Sequence, residues 1–517
     1  MARSTPPAGG QPRGRRTFAQ RLLLGVNILL VVACVGTAAA FTKVRATLAS
    51  VPVVDIGSSL TPPPPPTEPR NLLIIGTDSA ARLDDTDPVT KGRGNLGRLA
   101  DVVMILRVDP RDHTARLLSI PRDTRLAIAP DGRLDRINTA IAGANGQRNL
   151  IRTIKRNFGI SIDNYVQVDF LAFKQLVDVL GGVPVYLTTP VRDRNTGLWQ
   201  PDTGCRLLDP PQALAYARAR HFQFKEDGKW KSDGTGDLGR ITRQQDFIKR
   251  ALRRASDKGI RNPGTAVSLV NAATDAVLLD STLDVGTILQ LVKEFRNFNP
   301  DTLQTDQIPT RAAPRGGIAY QEVVWDEARP LLPAFRGVAP GARPAPADVI
   351  VDVRAPERRA ADLAKRLDRA KFDAEGLDAN SSRAGSKIVF GPEGRDAALL
   401  LAAQLDPVPT LELDPEIVGF RVVLNVGTDD LAVRSTPVPL TELPPNLAPT
   451  TSSTTTVRPT TTTTAPDRGD GSSATGSGGG GSSTTAPPTS AVDPTDSNRP
   501  APPGVVPTDP AKAASCH

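Results

Sequence analysis

The chain has 517 residues and a formal net charge of +8, long enough for two or three domains and basic enough to suit phosphate-bearing partners or an anionic surface. Aromatic residues make up only 4%, too few for platforms that stack bases, so nucleic acid is not an expected partner. Three histidines and three cysteines, with no pair at metal-ligand spacing, argue against a zinc site.

Residues 1–21 carry Arg3, Arg13, Arg15, Arg16 and Arg21 without an acidic residue. The next segment, Leu22–Phe41, is uncharged. At ~1.5 Å per residue it is long enough to cross a bilayer core of ~30 Å. The basic flank should stay cytoplasmic, giving a single-pass protein of the cell membrane with the rest of the chain outside. A cleaved signal peptide is the competing reading, since Ala38, Ala39 and Ala40 offer small residues. Either reading exports the chain.

Residues 42–69, with the run Pro62–Pro66, predict a stiff proline-rich linker. A first domain spans 70–337. Its apolar runs NLLIIG (71–76), DVVMILRVD (101–109) and TARLLSI (114–120) predict buried strands, the last two joined as a hairpin through PRDH. FLAFKQLVDVLGG predicts a helix with Phe170, Phe173, Val177 and Leu180 on one face, closed by Gly181 and Gly182. GRGNLG (92–97) matches a dinucleotide-binding spacing, but it lies between a polar loop and a strand, the wrong context; it predicts a loop over the site. Residues 345–430 predict a smaller α/β domain: strands VIVDV, SKIVF and FRVVLNV alternate with helices PERRAADLAKRLDRA and EGRDAALLLAAQL. From Thr436 to the last residue, 517, Thr, Pro, Ser and Gly dominate and predict a disordered tail.

Charged residues gather at predicted strand ends. Asp78 follows the first strand and Asp101 begins the second. If these strands are antiparallel neighbours, both carboxylates share one end of the sheet. The third strand returns there and delivers Arg122 and Asp123. Without a ligand this grouping is costly. Mg²⁺ and a diphosphate explain it, with hard oxygens on the metal and guanidinium forks on phosphate. In GDLGRITRQQ (236–245), Asp237 is expected to cap a helix from Leu238. Arg240, Arg243 and Gln244 then share one side, and Ile241, Ile248 and Leu252 the core-facing stripe. Arg218 and Arg220 reach the same site only if their helix ends near Arg218. His113 and His221 are expected to be ordinary surface residues. Cys34 should stay a reduced thiol in the apolar segment. Cys205 and Cys516 would both be exported; a tether between them, two free thiols and an intermolecular bridge all stay open.

NLLIIGTDS, ADVVMILRVDP, LLSIPRDT, RINTA, VDF, LGGV, ALAYARAR and DLGRITRQQ, in this order over about Arg70–Gly337, resemble the LytR-CpsA-Psr family of cell-wall enzymes. The segment 345–430 is similar to the C-terminal domain of LytR-like proteins, without its usual opening asparagine-glycine motif. The resemblance implies an α/β/α sandwich with a polyprenyl pocket. It implies transfer of a glycopolymer from an undecaprenyl-diphosphate carrier to peptidoglycan, at the muramic acid 6-hydroxyl, leaving a phosphodiester. It places Asp78 and Asp101 at the magnesium, and Arg122, Arg218, Arg220, Arg240 and Gln244 around the diphosphate. Asp123 matches the aspartate of the family's PRD motif. The proton acceptor stays open among Asp78, Asp101 and Asp123. Two positions depart from the pattern: Ala80 and Leu99 stand where the family commonly has arginines, with Arg82 and Arg98 near by. Alternatives are a pyrophosphatase acting on prenyl diphosphates and a non-catalytic wall- or lipid-binding module.

Overall fold

The computed structural model describes residues 53–79, 99–258, 277–283, 285–295, 298–337, 344–380, 384–444, 447 and 516. They form two compact units divided at Pro340/Gly341, with Cys516 in the first. The basic residues 1–21, the segment Leu22–Phe41, the GRGNLG sequence with Ala80, Arg82 and Arg98, and the tail beyond 447 apart from Cys516 lie outside the described residues. No described helix is long and apolar enough to cross a membrane.

The first unit is built on strands β1 (Val53–Val54), β2 (Arg70–Thr77), β3 (Ala100–Asp109) and β4 (Thr114–Ser119), a hairpin of β5 (Arg125–Ile128) and β6 (Arg133–Arg136), then β7 (Asn164–Val168) and β8 (Val183–Leu187). It continues through β9 (Val191–Asp193), β10 (Leu198–Gln200), β11 (Gly204–Leu208), β12 (Gln223–Glu226) and β13 (Lys229–Ser232). Its last strands are β14 (Val277–Asp280), β15 (Gln304–Gln307), β16 (Thr310–Ala312) and β17 (Gln321–Val323). The main sheet runs β1-β14-β7-β2-β3-β4-β15. β2 and β3 are antiparallel, with Gly76 opposite Val102, and β3 and β4 form the expected hairpin.

Strand alternation gives this sheet two apolar faces. Leu73, Ile75, Val103, Ile105 and Leu118 pack with Leu150, Ile151, Ile154 and Phe158 of the helix Gly146–Phe158. On the other face, Leu72, Ile74, Val102, Met104 and Leu106 pack with Ile248 and Leu252 of the helix Gly236–Asp257. Helices on both faces make the α/β/α sandwich that the family resemblance implies.

The predicted linker is corrected in part. Val53 and Val54 pair with β14, Ile56 and Leu60 are buried in the core, and Arg70 donates to the Pro64 carbonyl at 2.7 Å. These residues end the domain sheet and cover its bottom layer rather than standing off as a spacer. Apolar residues before the prolines carried that information.

The second unit holds β18 (Ile350–Ala355), β19 (Asp373–Asp378), β20 (Lys387–Phe390), β21 (Leu405–Asp406), β22 (Thr410–Leu413), β23 (Arg421–Asn425) and β24 (Ala432–Val433), with helices Glu357–Arg369 and Arg395–Gln404. Its sheet runs β19-β18-β23-β20-β22. β19 and β22 were not legible as strands because their sequences, DAEGLD and TLEL, offer little apolar surface. The unit also reaches past Asp430 into the predicted tail: Leu443 and Leu447 are buried against Leu399 and Ala403.

Cys205 of β11 is disulfide-bonded to Cys516, with Cα atoms 5.6 Å apart. Cys516 is buried against β8, where its Sγ lies 3.6 Å from the Val185 carbonyl. Of the three readings open at the sequence level, the intramolecular tether is the one the structure contains.

Candidate active site

A cavity of about 400 Å³ separates one face of the main sheet from three helices. Ile74, Val102 and Met104 form its floor; Phe170, Phe173, Val177 and Leu180, the predicted face of the helix Phe170–Val179, form a wall. That helix starts on Asp169, whose carboxylate accepts from the Ala172 amide at 2.9 Å. It stops where Gly181 and Gly182 take φ of +62° and +88°, values that cost a glycine little. Gly76, also on the floor, is required: a Cβ there would lie 2.8 Å from the Val102 Cβ.

The third element is the helix Gly236–Asp257. Arg240, Gln244, Phe247, Ile248, Ala251, Leu252 and Ala255 all face the cavity, the spacing of a single helical stripe. This corrects the expected division of the helix, in which Arg240 and Gln244 stood opposite the apolar residues. One stripe is polar in its first turns and apolar thereafter.

The polar end of the cavity is also lined by Asp101 and Arg218. The helix Pro210–Arg218 does end at Arg218, whose guanidinium lies 4.6 Å from the Phe170 ring centroid. Arg240 is 3% exposed, donates to the Asp101 carbonyl at 2.7 Å and pairs with Asp237 at 3.0 Å. Gln244 donates to the Ala217 carbonyl at 2.9 Å. Arg122 reaches Asp101 at 2.5 Å, and Asp123 and Asp237 each at 3.5 Å. Asp123 also faces Arg136 at 3.5 Å. Asp78 lies directly after β2, beside the cavity-lining Thr77. Arg220 is close enough to attract Asp101 and to repel Arg240.

Thus Asp101, Arg218, Arg240 and Gln244 line the cavity itself, whereas Arg122 and Asp123 stand behind Asp101. Two expectations change here. Asp237 is in the first turn of its helix, which begins at Gly236, and its carboxylate serves arginines instead of capping. The acid three residues before Arg240 was the signal for that role. Arg243 turns away from the cavity: it is fully buried, pairs with Asp233 at 2.6 Å and donates to the Ala219 carbonyl at 2.7 Å.

The electrostatics follow from these contacts. Burial opposes the charge of Asp101, but Arg240 and Arg122 outweigh it and hold its pKa below the ordinary carboxylate value. Asp123 goes the other way, raised by burial despite Arg122. Burial lowers the Arg240 pKa, although Asp237 and Asp101 oppose this.

A profile of the LytR_cpsA_psr family matches residues 34–332. Over 219 residues the chain is 33% identical to "Polyisoprenyl-teichoic acid--peptidoglycan teichoic acid transferase TagU" of Halalkalibacterium halodurans, covering 42% of this chain and 62% of that protein. It is 29% identical over 266 residues to "Probable cell wall biosynthesis protein LcpB" of Corynebacterium glutamicum, covering 50% and 58% of the two chains. The chain therefore spans 62% and 58% of the length of these two relatives. It is also similar to the solved "LytR-Csp2A-Psr enzyme from Actinomyces oris", at 24% identity and a TM-score of 0.42 over 56% of this chain and 97% of that one. With more than half of its length matched by the profile, the chain belongs to the LytR_cpsA_psr family.

Proposed function

We propose that the protein is a membrane-anchored, Mg²⁺-dependent phosphotransferase outside the cell that moves a glycopolymer from an undecaprenyl-diphosphate carrier to peptidoglycan. The observation that carries this reading is the single stripe of the helix Gly236–Asp257, with Arg240 and Gln244 at one end and Phe247, Ile248, Ala251, Leu252 and Ala255 beyond. An amphiphile with a phosphate head and a branched hydrocarbon chain is the ligand complementary to that gradient. The relative from Halalkalibacterium halodurans carries a polyisoprenyl-linked substrate in its name. Leu22–Phe41 supplies the anchor.

The donor set at this end fits Mg²⁺. The described residues contain no cluster of three or more His, Cys, Asp or Glu that could hold a metal. An ion here needs substrate oxygens and water beside Asp78 and Asp101, which is how Mg²⁺ is commonly held on phosphate substrates. When bound, the ion would neutralise charge on the diphosphate oxygens. The protein's own contribution is positioning and a fixed field. Arg218, Arg220 and Arg240 hold the phosphates, Asp123 orients Arg122, and the cavity draws the carrier's chain out of water. The muramic acid 6-hydroxyl then attacks the sugar-linked phosphorus of the diphosphate and gives up its proton to one of Asp78, Asp101 and Asp123. The carrier leaves as a monophosphate and a phosphodiester joins the two polymers.

The test is the lipid content of the full chain purified from membranes. Mass spectrometry should find a polyprenyl diphosphate or its glycosylated form. Finding only bulk phospholipid would sink the substrate class. Release of carrier monophosphate with water as sole acceptor, in the presence of peptidoglycan, would make the protein a pyrophosphatase.

Arg220 separates binding from stability. It repels the buried Arg240 but attracts Asp101, contributions of opposite sign, so Arg220→Ala should melt close to the wild-type temperature. Losing one charge-assisted contact should weaken binding of a short prenyl diphosphate roughly tenfold to hundredfold. Calorimetric titration and a thermal melt decide this; a lower melting temperature with unchanged affinity would make Arg220 structural.

A further inference from the structure

Two of the chain's three tryptophans stand together on one small sheet that the cavity does not use. The sheet runs β10-β9-β12-β13 and is antiparallel throughout. Its inner face is explained by packing, since Val191 and Leu198 are buried there with Phe224 against them. Its outer face is not. The register places Trp199 opposite Arg192, Arg192 opposite Gln223, and Lys225 opposite Trp230, so all five residues share that face. Trp199 is 53% exposed. Its ring centroid lies 5.9 Å from that of Trp230, the planes inclined at 43°. Arg192 fixes Trp230 from beside it, with its guanidinium 4.1 Å from the ring centroid and its Nε donating to Gln223 at 2.8 Å. The exposed Trp199 ring thus leans on Trp230, which Arg192 holds in place, and an exposed large ring on a fixed support is preorganised for a partner.

The sheet is bolted to the candidate site. The backbone amide of Trp199 donates to Gln212, on the helix that ends at Arg218. Asp193 of β9 accepts from the His221 amide at 2.8 Å, one residue past Arg220. The chain leaving β13 runs through Asp233 into the helix that carries Arg240. A polymer lying on the outer face would thus be held in a fixed relation to the arginines.

We infer that this face is the docking platform for the acceptor, a peptidoglycan glycan strand, with Trp199 stacking against the C–H face of a pyranose ring and Arg192 and Lys225 meeting the carboxylates of its peptide stems. The inference rests on the function proposed above and assigns the part of it that the cavity leaves open. The donor is held by its hydrocarbon chain and its diphosphate. The acceptor has neither group, and placing its hydroxyl at the phosphorus requires a second surface with affinity for sugars and negative charge. An exposed indole with Arg192 and Lys225 on the same face is that chemistry.

The test uses the full chain in detergent and purified peptidoglycan sacculi stripped of other polymers. Trp199→Ala should weaken cosedimentation with sacculi by about tenfold, the worth of one aromatic contact, and Trp199→Tyr should restore most of it. Binding of a short prenyl diphosphate should be unchanged in both variants, and in transfer assays the acceptor KM should rise with kcat constant. Sacculus binding equal to wild type in Trp199→Ala overturns the inference. So does an unchanged sacculus interaction accompanied by weaker binding of the lipid-linked glycopolymer, which would give the face to the donor. The cosedimentation reads the platform whether or not the chain transfers anything, so failure of the proposed activity would be seen separately.

Discussion

Asp101→Ala is expected to fold and to transfer no glycopolymer. The carboxylate it removes lies between Arg122 at 2.5 Å and Arg240, which is attracted to it through space. It is also one of the two oxygens sources assigned to Mg²⁺. Losing such a preorganised charge costs roughly a hundredfold to a thousandfold in rate when one electrostatic contact is removed; here metal and arginine alignment go together, so activity should fall below detection. The fold survives because the arginines keep other partners. Arg240 retains Asp237 at 3.0 Å and the backbone carbonyl of residue 101 at 2.7 Å, and Arg122 retains Asp123 and Asp237 at 3.5 Å. Stability should drop by only about 1–3 kcal/mol at neutral pH. That deficit has a pH signature. The folded pKa of Asp101 is depressed, so its contribution is present above the unfolded carboxylate value of about 4 and is lost as pH falls through the folded value. In chelator, the gap between wild type and variant should narrow as pH falls below about 4 and close only once pH passes below the depressed folded value. Full activity of the variant, or transfer unaffected by chelator, would refute the assignment.

Arg243, one turn from Arg240, should behave in the opposite way. Its side chain is 0% exposed and its partner Asp233 1% exposed. The guanidinium also lies 4.3 Å from the Phe222 ring centroid. Arg243→Ala leaves the Asp233 carboxylate buried without a counter-charge, an error worth roughly 3–5 kcal/mol. For a domain of this size that is on the order of a 10 °C fall in melting temperature. Gly239 belongs to the same arrangement: a Cβ there would meet the Thr235 hydroxyl at 2.1 Å and the Asp233 carboxylate at 2.8 Å. Gly239→Ala should therefore reproduce the instability. Thermal melts of both variants check this, and an Arg243→Ala protein as stable as wild type but unable to bind prenyl diphosphate would return Arg243 to the site.

These two arginines mark the limit of what the sequence conveyed. The order of β2, β3 and β4 could be read because their apolar runs are bounded by prolines and charges, and antiparallel pairing then forced Asp78, Asp101 and Arg122 to one end. The end of the helix at Arg218 followed from the need to aim two arginines alike. Arg240 and Arg243 differ by three positions and by nothing in their own chemistry. Which faces the cavity depends on Asp233 and Phe222, supplied by chain that lies outside the helix. The family resemblance implies a pocket, but its lining could not be read from the residues for a related reason. Ile74, Val102 and Met104 look like any buried face of a strand, and only the placement of the helix Gly236–Asp257 leaves space above them. The tryptophan pair was invisible because Trp199 and Trp230 are brought together by β9 and β12, which stand between them in the sheet.

The bond between Cys205 and Cys516 spans 311 positions of sequence. It turns that stretch into a covalent ring, and the second unit, residues 344–447, is contained within it. A protease that cuts once in the Thr- and Pro-rich segment opens the ring without dividing the molecule. Both fragments stay joined, so the second unit cannot be shed by a single cut anywhere between the two cysteines. Separation requires a second cleavage or a reductant, so the first unit keeps its companion through any single cut.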